Sequence, residues 1–276
     1  MNIGIAGLGL IGGSMAKAVR AYTAHRVFGF DRDADTQARA LRDGTLDGVL
    51  DEASVADCQL LLLALYPGAA IEFLEEHAAR VGRGALAVDL CGVKRPVCEA
   101  GEALARRHGF RFVGGHPMAG RALSGYGASE SGLFQGASML LTPGADTPPE
   151  VLAQLTAFFG ALGFRAVHRT DPLEHDRLIA YTSQLAHVLS SAYVKRAMEP
   201  GHALFTGGSF QDLTRVARLN EDMWTELFML NRDCLIEEVD ALVGRLQAYA
   251  DGLRAGDAER LRALLREGSE YKARLS

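Results

Sequence analysis

The 276 residues predict an α/β fold, with an N-terminal doubly wound parallel sheet followed by an all-helical C-terminal domain. Three observations carry this. Short apolar runs alternate with helical stretches as far as residue 169, the pattern of a parallel sheet buried on both faces. A glycine-rich turn, Gly7-x-Gly9-x-x-Gly12, joins the first apolar run to the first helix. Beyond Thr170-Asp171-Pro172 the strand runs stop and long helical patterns continue to the end.

The first run, residues 3–6, enters the glycine turn, and residues 14–21 after it are Ala-rich and read as helix. The second run, 26–30, ends at Asp31. The third, 60–65, holds five leucines and is stopped by Pro67-Gly68. Residues 85–90 form the next run, and 110–114 another after a helix over 97–108. Runs at 139–143 and 164–168 complete the series. The Gly- and Ser-rich stretch 120–136 reads as a loop placed to cover a site. Asp171 can cap a helix whose first position is Pro172. The helical patterns after it are broken near Glu199-Pro200-Gly201 and Gly207-Gly208. The boundary therefore falls near residue 169, giving domains 1–169 and 170–276.

The 29 Lys and Arg against 34 Asp and Glu leave a net charge of −5, which argues against nucleic acid as a bulk partner. The longest strongly apolar run, residues 60–66, is far short of the roughly 20 residues that span a bilayer. No basic segment and separate apolar stretch precede the glycine motif, so no secretory signal and no membrane partner are expected. The cysteines, Cys58, Cys91, Cys98 and Cys234, have no metal-binding spacing. Reduced thiols in a cytoplasmic protein, and no metal, are expected.

Gly7-x-Gly9-x-x-Gly12 lies between a strand and a helix, the context in which this pattern binds a dinucleotide in a Rossmann-type domain. The first glycine permits a tight turn and the second lets backbone amides approach a pyrophosphate. The third lets helix and strand pack closely, with the helix N-terminus facing the phosphate charge. Leu8, Leu10 and Ile11 complete the loop. Asp31 lies 19 residues after Gly12, where a carboxylate can bond a ribose 2′-hydroxyl and repel a 2′-phosphate. NAD is thus expected over NADP, tempered by Arg32, which can stack on adenine or meet a phosphate.

Three further features carry chemistry. His116 ends a strand in Gly114-Gly115-His116-Pro117-Met118-Ala119-Gly120, and ligands of open parallel sheets sit beyond the carboxyl ends of strands. Its unshifted pKa, about 6.5, suits a base. Ser183, His187 and Ser191 recur at every fourth residue along one helix face that is polar without being charged. A ladder of interhelical hydrogen bonds is the alternative there. Arg215, in Asp212-Leu213-Thr214-Arg215, is suited to clamp a carboxylate; pairing with Asp212 is its alternative. Trp224, the only tryptophan, follows nine residues later.

Taken together, the glycine motif, the Asp89-Leu90-Cys91-Gly92-Val93-Lys94 turn, the segment around His116, residues 182–187 and residues 212–224 occur in one order. In that order the chain resembles the prephenate dehydrogenases of tyrosine biosynthesis, a family that includes arogenate dehydrogenases. The resemblance covers nearly the whole chain. It implies NAD-linked oxidative decarboxylation of prephenate to 4-hydroxyphenylpyruvate and CO2. His116 matches the family's catalytic histidine, which accepts the ring hydroxyl proton as hydride leaves C4. Arg215 matches the arginine that holds a substrate carboxylate, and His187, Ser183 and Trp224 match residues of the substrate pocket. Leu65 and Gly92 join the expected cofactor-binding set. A helical domain that forms a homodimer is implied too, with no separate regulatory module expected beyond the helices.

Two departures stand out. The family often has a serine at Gly92 that steadies the catalytic histidine, which leaves Cys91, Lys94 or a water to take its place. After Gly120 many relatives carry a glutamate, whereas this chain has Arg121-Ala122. Arg121 and Lys94 are therefore expected to add positive charge for a dianionic substrate. The β-hydroxyacid dehydrogenases also join a dinucleotide domain to helices, but they use a lysine where this helix presents His187. A catalytically silent NAD-binding sensor is the alternative from outside enzymology.

Overall fold

The structure is a computed structural model that describes residues 1–121, 123–196 and 201–274. Its first part is an eight-stranded sheet. In chain order it contains β1 (Asn2–Ala6), α1 (Leu10–Tyr22), β2 (Arg26–Phe30), α2 (Ala34–Arg42), β3 (Gly48–Val49), α3 (Glu52–Asp57), β4 (Leu60–Leu63) and α4 (Pro67–His77). Next come β5 (Leu86–Asp89), α5 (Arg95–His108), β6 (Arg111–Pro117), β7 (Ser138–Pro143), α6 (Pro149–Ala161) and β8 (Ala166–Arg169). The strands lie in the order β3-β2-β1-β4-β5-β6-β7-β8. The order reverses between β1 and β4, and such a switch point is where ligands of doubly wound sheets bind.

The leucine run of β4 shows why these residues make a central strand. Side chains alternate across a sheet, and here both faces are covered. Leu60 and Leu62 join Ile3, Ile5, Val88 and Met139 in the core beneath α1 and α6. Leu61 and Leu63 join Ala6, Ala87 and Phe112 beneath α4 and α5.

The sheet differs from the expected all-parallel one at a single pair, β6 and β7, which run antiparallel. A parallel return needs a crossover, usually helical. Residues 118–137 supply only one short 3-10 turn, Tyr126–Ala128, among the described residues, so β7 comes back beside β6 in the opposite direction. β3, two residues long, has no legible alternation and was not anticipated.

The second part is helical, with no strand among its described residues. Asp171 caps α7 (Pro172–Ile179) by accepting from the Leu173 and Glu174 amides, both at 2.9 Å, with Pro172 in the first turn as expected. A single π-helical turn, Ala180–Gln184, joins α7 to α8 (Leu185–Tyr193). Then follow α9 (Gly208–Thr214), α10 (Glu221–Leu230), α11 (Arg232–Ala255) and α12 (Ala258–Arg274). The break expected at Glu199-Pro200 lies outside the described residues. No helix among the described residues is long and apolar enough to cross a membrane.

Candidate active site

The glycine loop has the shape its spacing demands. Gly7 adopts φ +87°, and a Cβ there would lie 2.4 Å from the Ala64 carbonyl oxygen and 2.9 Å from the Leu65 side chain. A Cβ on Gly12 would sit 1.8 Å from the Gly7 carbonyl oxygen, so helix and loop touch through glycine alone. A Cβ on Gly9 meets nothing within 4 Å. Gly9 also precedes α1 without a side-chain cap, which leaves first-turn amides of that helix for a ligand. One open glycine between two crowded ones, at an uncapped helix N-terminus, fits a pyrophosphate.

Leu8 is buried beneath the loop, and Leu10 and Ile11 are half-buried in the first turn of α1. Asp31, at the end of β2, accepts from the Leu8 amide at 2.7 Å and the Asp33 amide at 2.9 Å. These bonds hold the carboxylate beside the loop, where a ribose would lie. Arg32 is exposed next to it.

At the carboxyl ends of β5 and β6, buried charges hold the backbone. Asp89 and Lys94 are both fully buried and ion-paired. Asp89 also accepts from the Cys91 amide at 3.0 Å and the Gly115 amide at 3.3 Å, and the Lys94 ammonium donates to the Gly115 carbonyl at 2.5 Å. Lys94 thus ties the two strand ends together, and the expectation that it offers charge to a substrate is corrected. Its ammonium is spent inside the protein, because a buried charge without partners would be too costly.

His116 stands on the next residue of β6. Its Nδ1 lies 2.9 Å from Nε2 of His175, on α7. His175 in turn places Nδ1 2.8 Å from Asp176 Oδ1. Asp176, fully buried, also accepts from the Lys94 amide (2.8 Å), the Arg95 amide (3.0 Å) and Arg95 Nε (3.1 Å). Burial works against its charge, but the bonds from His175 and these amides hold its pKa below the ordinary carboxylate range. Burial pushes the His116 pKa well down, helped by the neighbouring His175 and Lys94, so the ring is neutral near pH 7. The chain of bonds then decides the proton positions. An ionised Asp176 only accepts, so His175 carries its proton on Nδ1 and accepts at Nε2. His116 must donate from Nδ1, leaving Nε2 as a lone pair.

Residues from the helical domain form the other wall. His187 Nδ1 donates to the Ser183 carbonyl at 2.8 Å, and the ring stacks on Trp224 with centroids 3.9 Å apart. Burial lowers the His187 pKa, partly offset by the Ser183 carbonyl, and nearby Arg215 lowers it further. Arg215, at the end of α9, is exposed and makes no ion pair among the described residues. Its expected alternative partner, Asp212, does not engage it. α10 (Glu221–Leu230) brings Trp224 to this wall and also holds Glu226, which accepts from the Gly68 amide at 2.6 Å. Leu227, on the same helix, lies 3.5 Å from where a Gly92 Cβ would be.

Residues 15–168 match the family model for the prephenate dehydrogenase nucleotide-binding domain, and residues 171–267 match that for its dimerization domain. The chain belongs to the prephenate dehydrogenase family. It is 29% identical over 97% of its length to the prephenate dehydrogenase of Bacillus subtilis, covering 74% of that protein. The structure is similar to prephenate dehydrogenase from A. aeolicus in complex with hydroxyphenyl propionate and NAD+ (TM-score 0.87, 26% identity, 100% of this chain and 98% of that one). It is also similar to Synechocystis arogenate dehydrogenase (TM-score 0.85, 26% identity, all of both chains).

Within this prephenate dehydrogenase frame two expectations change. Arg121 is ion-paired with Glu130, and the Glu130 amide bonds Ser14 of α1 at 3.1 Å, so Arg121 braces the glycine-rich segment. Ala122, beside it, lies outside the described residues. That segment is fastened along α1 from Tyr126 onward, with Lys17 donating to the Ser129 carbonyl at 2.9 Å. Neither Cys91 nor Lys94 stands in for the serine replaced by Gly92: the Cys91 thiol points to the Leu65 carbonyl. The residue that reaches His116 is His175, which sequence reasoning passed over along with Asp176. The available signal was a His-Asp pair in the second turn of a well-capped helix.

Proposed function

We propose that this chain catalyses NAD-linked oxidative decarboxylation of prephenate to 4-hydroxyphenylpyruvate and CO2. In this reading residues 1–169 hold the cofactor and residues 170–276 complete the substrate pocket and form a homodimer. The observation that carries it is His116: its unshared Nε2 stands at the carboxyl end of β6, in the crevice that begins at the glycine loop. Family membership and the names of the relatives support the same reading.

Bound NAD supplies the hydride acceptor, and this chain's residues do the rest. Gly7, Gly9 and Gly12 with the first turn of α1 hold the pyrophosphate, and Asp31 holds a ribose hydroxyl. Leu65 and Gly92 border the cofactor from the ends of β4 and β5. Arg215 binds a substrate carboxylate, beside His187, Ser183 and the Trp224 face. His116 takes the 4-hydroxyl proton on Nε2 as that carbon becomes a carbonyl. The ring carboxylate leaves as CO2, its bond electrons pass through the ring to the carbonyl oxygen, and that oxygen takes back the proton held by His116 to give the aromatic phenol.

Support for the dimer comes from α11, where Ile236, Val243, Leu246 and Leu253 are all more than half exposed in the single chain. A cytoplasmic site of action accords with four free, buried cysteines. NADH formation, followed with prephenate and with arogenate, and with NAD and NADP, tests the reading. Turnover of prephenate with NAD is expected. Turnover of arogenate alone would reassign the substrate, and binding of NAD without turnover of either would make the chain a sensor.

A further inference from the structure

His116 needs a fixed ring, and the side chain that fixes it lies outside the motif around it. Among the described residues, His175 is the side chain hydrogen-bonded to His116. It is buried, it belongs to the other domain, and its far nitrogen is held by a buried carboxylate. Asp176 cannot rotate away, since both its oxygens are engaged and Asn231 Nδ2 bonds its backbone carbonyl at 2.8 Å. The three groups form one line from Asp176 to the open Nε2 of His116.

From this geometry we infer that His175, backed by Asp176, is the positioning residue for His116 and fills the place of the family serine that Gly92 lacks. The inference rests on the reaction proposed above. His175 accepts the Nδ1 proton of His116, which fixes the tautomer whose Nε2 is a base. When the substrate hydroxyl proton arrives at Nε2, His116 becomes a cation with both nitrogens protonated. Its Nδ1 proton remains donated to neutral His175, and the Asp176 carboxylate beyond stabilises that charge. No proton leaves the line in this step, and no further reactant is needed.

Other charged groups packed around the line are Lys94 and Asp89 at the β5 end, Arg95 on α5 and Asp233 on α11. All four are engaged in ion pairs, so the line has no competing acceptor for the His116 proton among them.

The test uses the full chain, with His175→Leu and His175→Gln. Leucine removes the acceptor, whereas the glutamine carbonyl can still accept from Nδ1. His175→Leu should lower kcat about 100-fold, in the range for a mispositioned general base, with KM within about threefold. His175→Gln should recover most of that loss, and the acid limb of the kcat profile should move between the two. Imidazole nitrogen NMR of the wild-type protein should find the His116 proton on Nδ1, moving to Nε2 in His175→Leu. Wild-type kcat kept by a folded His175→Leu, or a wild-type His116 protonated on Nε2, would overturn the inference. If the leucine variant does not fold, the wild-type NMR and the glutamine variant still decide it. A wild-type chain with the Nδ1 tautomer but no turnover of prephenate or arogenate would sink the proposed reaction while leaving the positioning geometry standing.

Discussion

His116→Asn keeps a polar side chain at the end of β6 but removes the base. It should lower kcat with prephenate by about 1000-fold while leaving KM nearly unchanged, which steady-state kinetics will show. Arg215→Ala should do the opposite. A lost charge-assisted hydrogen bond is worth about 1.5–3 kcal/mol, so KM should rise roughly 10- to 100-fold with a smaller effect on kcat. Lys94 illustrates what a sequence conceals at this scale. Its charge is legible but its burial is not, and only the folded chain shows the ammonium spent on Asp89 and Gly115. Lys94→Met should therefore act on stability, leaving Asp89 charged and unpaired at a cost of about 3–5 kcal/mol by thermal or denaturant unfolding.

The glycine loop offers a contrast within one element. Gly9→Ala adds a methyl group where there is open space, and Gly12→Ala adds one onto the Gly7 carbonyl. The first should leave Tm unchanged and weaken NAD binding by calorimetry, because the methyl fills the pyrophosphate approach. The second should lower Tm by several degrees. Elements of this kind were legible, since each β-run of four or more apolar residues reports its own burial. β3 is too short to do so. The direction of β7 was hidden because it depends on the connection behind it, not on its own residues. His175 and Asp176 were hidden for a related reason: a polar pair on a helix looks solvated until the helix docks onto the sheet.

Docking of the two parts is the event that builds the site. Arg95, at the start of α5, bonds Asp176 of α7, Asn231 (2.9 Å) and Asp233 (2.6 Å), so one side chain fastens both domains around the histidine line. This assembly has a pH dependence. The His116 and His175 pKa values are lowered by burial in the folded chain, so the unfolded chain binds more protons just below pH 6.5. Stability should be full above that value and fall as pH drops from 6.5 toward the folded-state pKa values. A thermal melt series between pH 8 and 5 checks this, and His175→Gln should flatten the slope. The histidines also make the activity of the whole molecule its sharpest assay. Purified chain, NAD and prephenate should yield NADH, CO2 and 4-hydroxyphenylpyruvate in equal amounts, with the rate lowered about 1000-fold in His116→Asn. No NADH from the wild-type chain, or an undiminished rate in His116→Asn, would contradict the account.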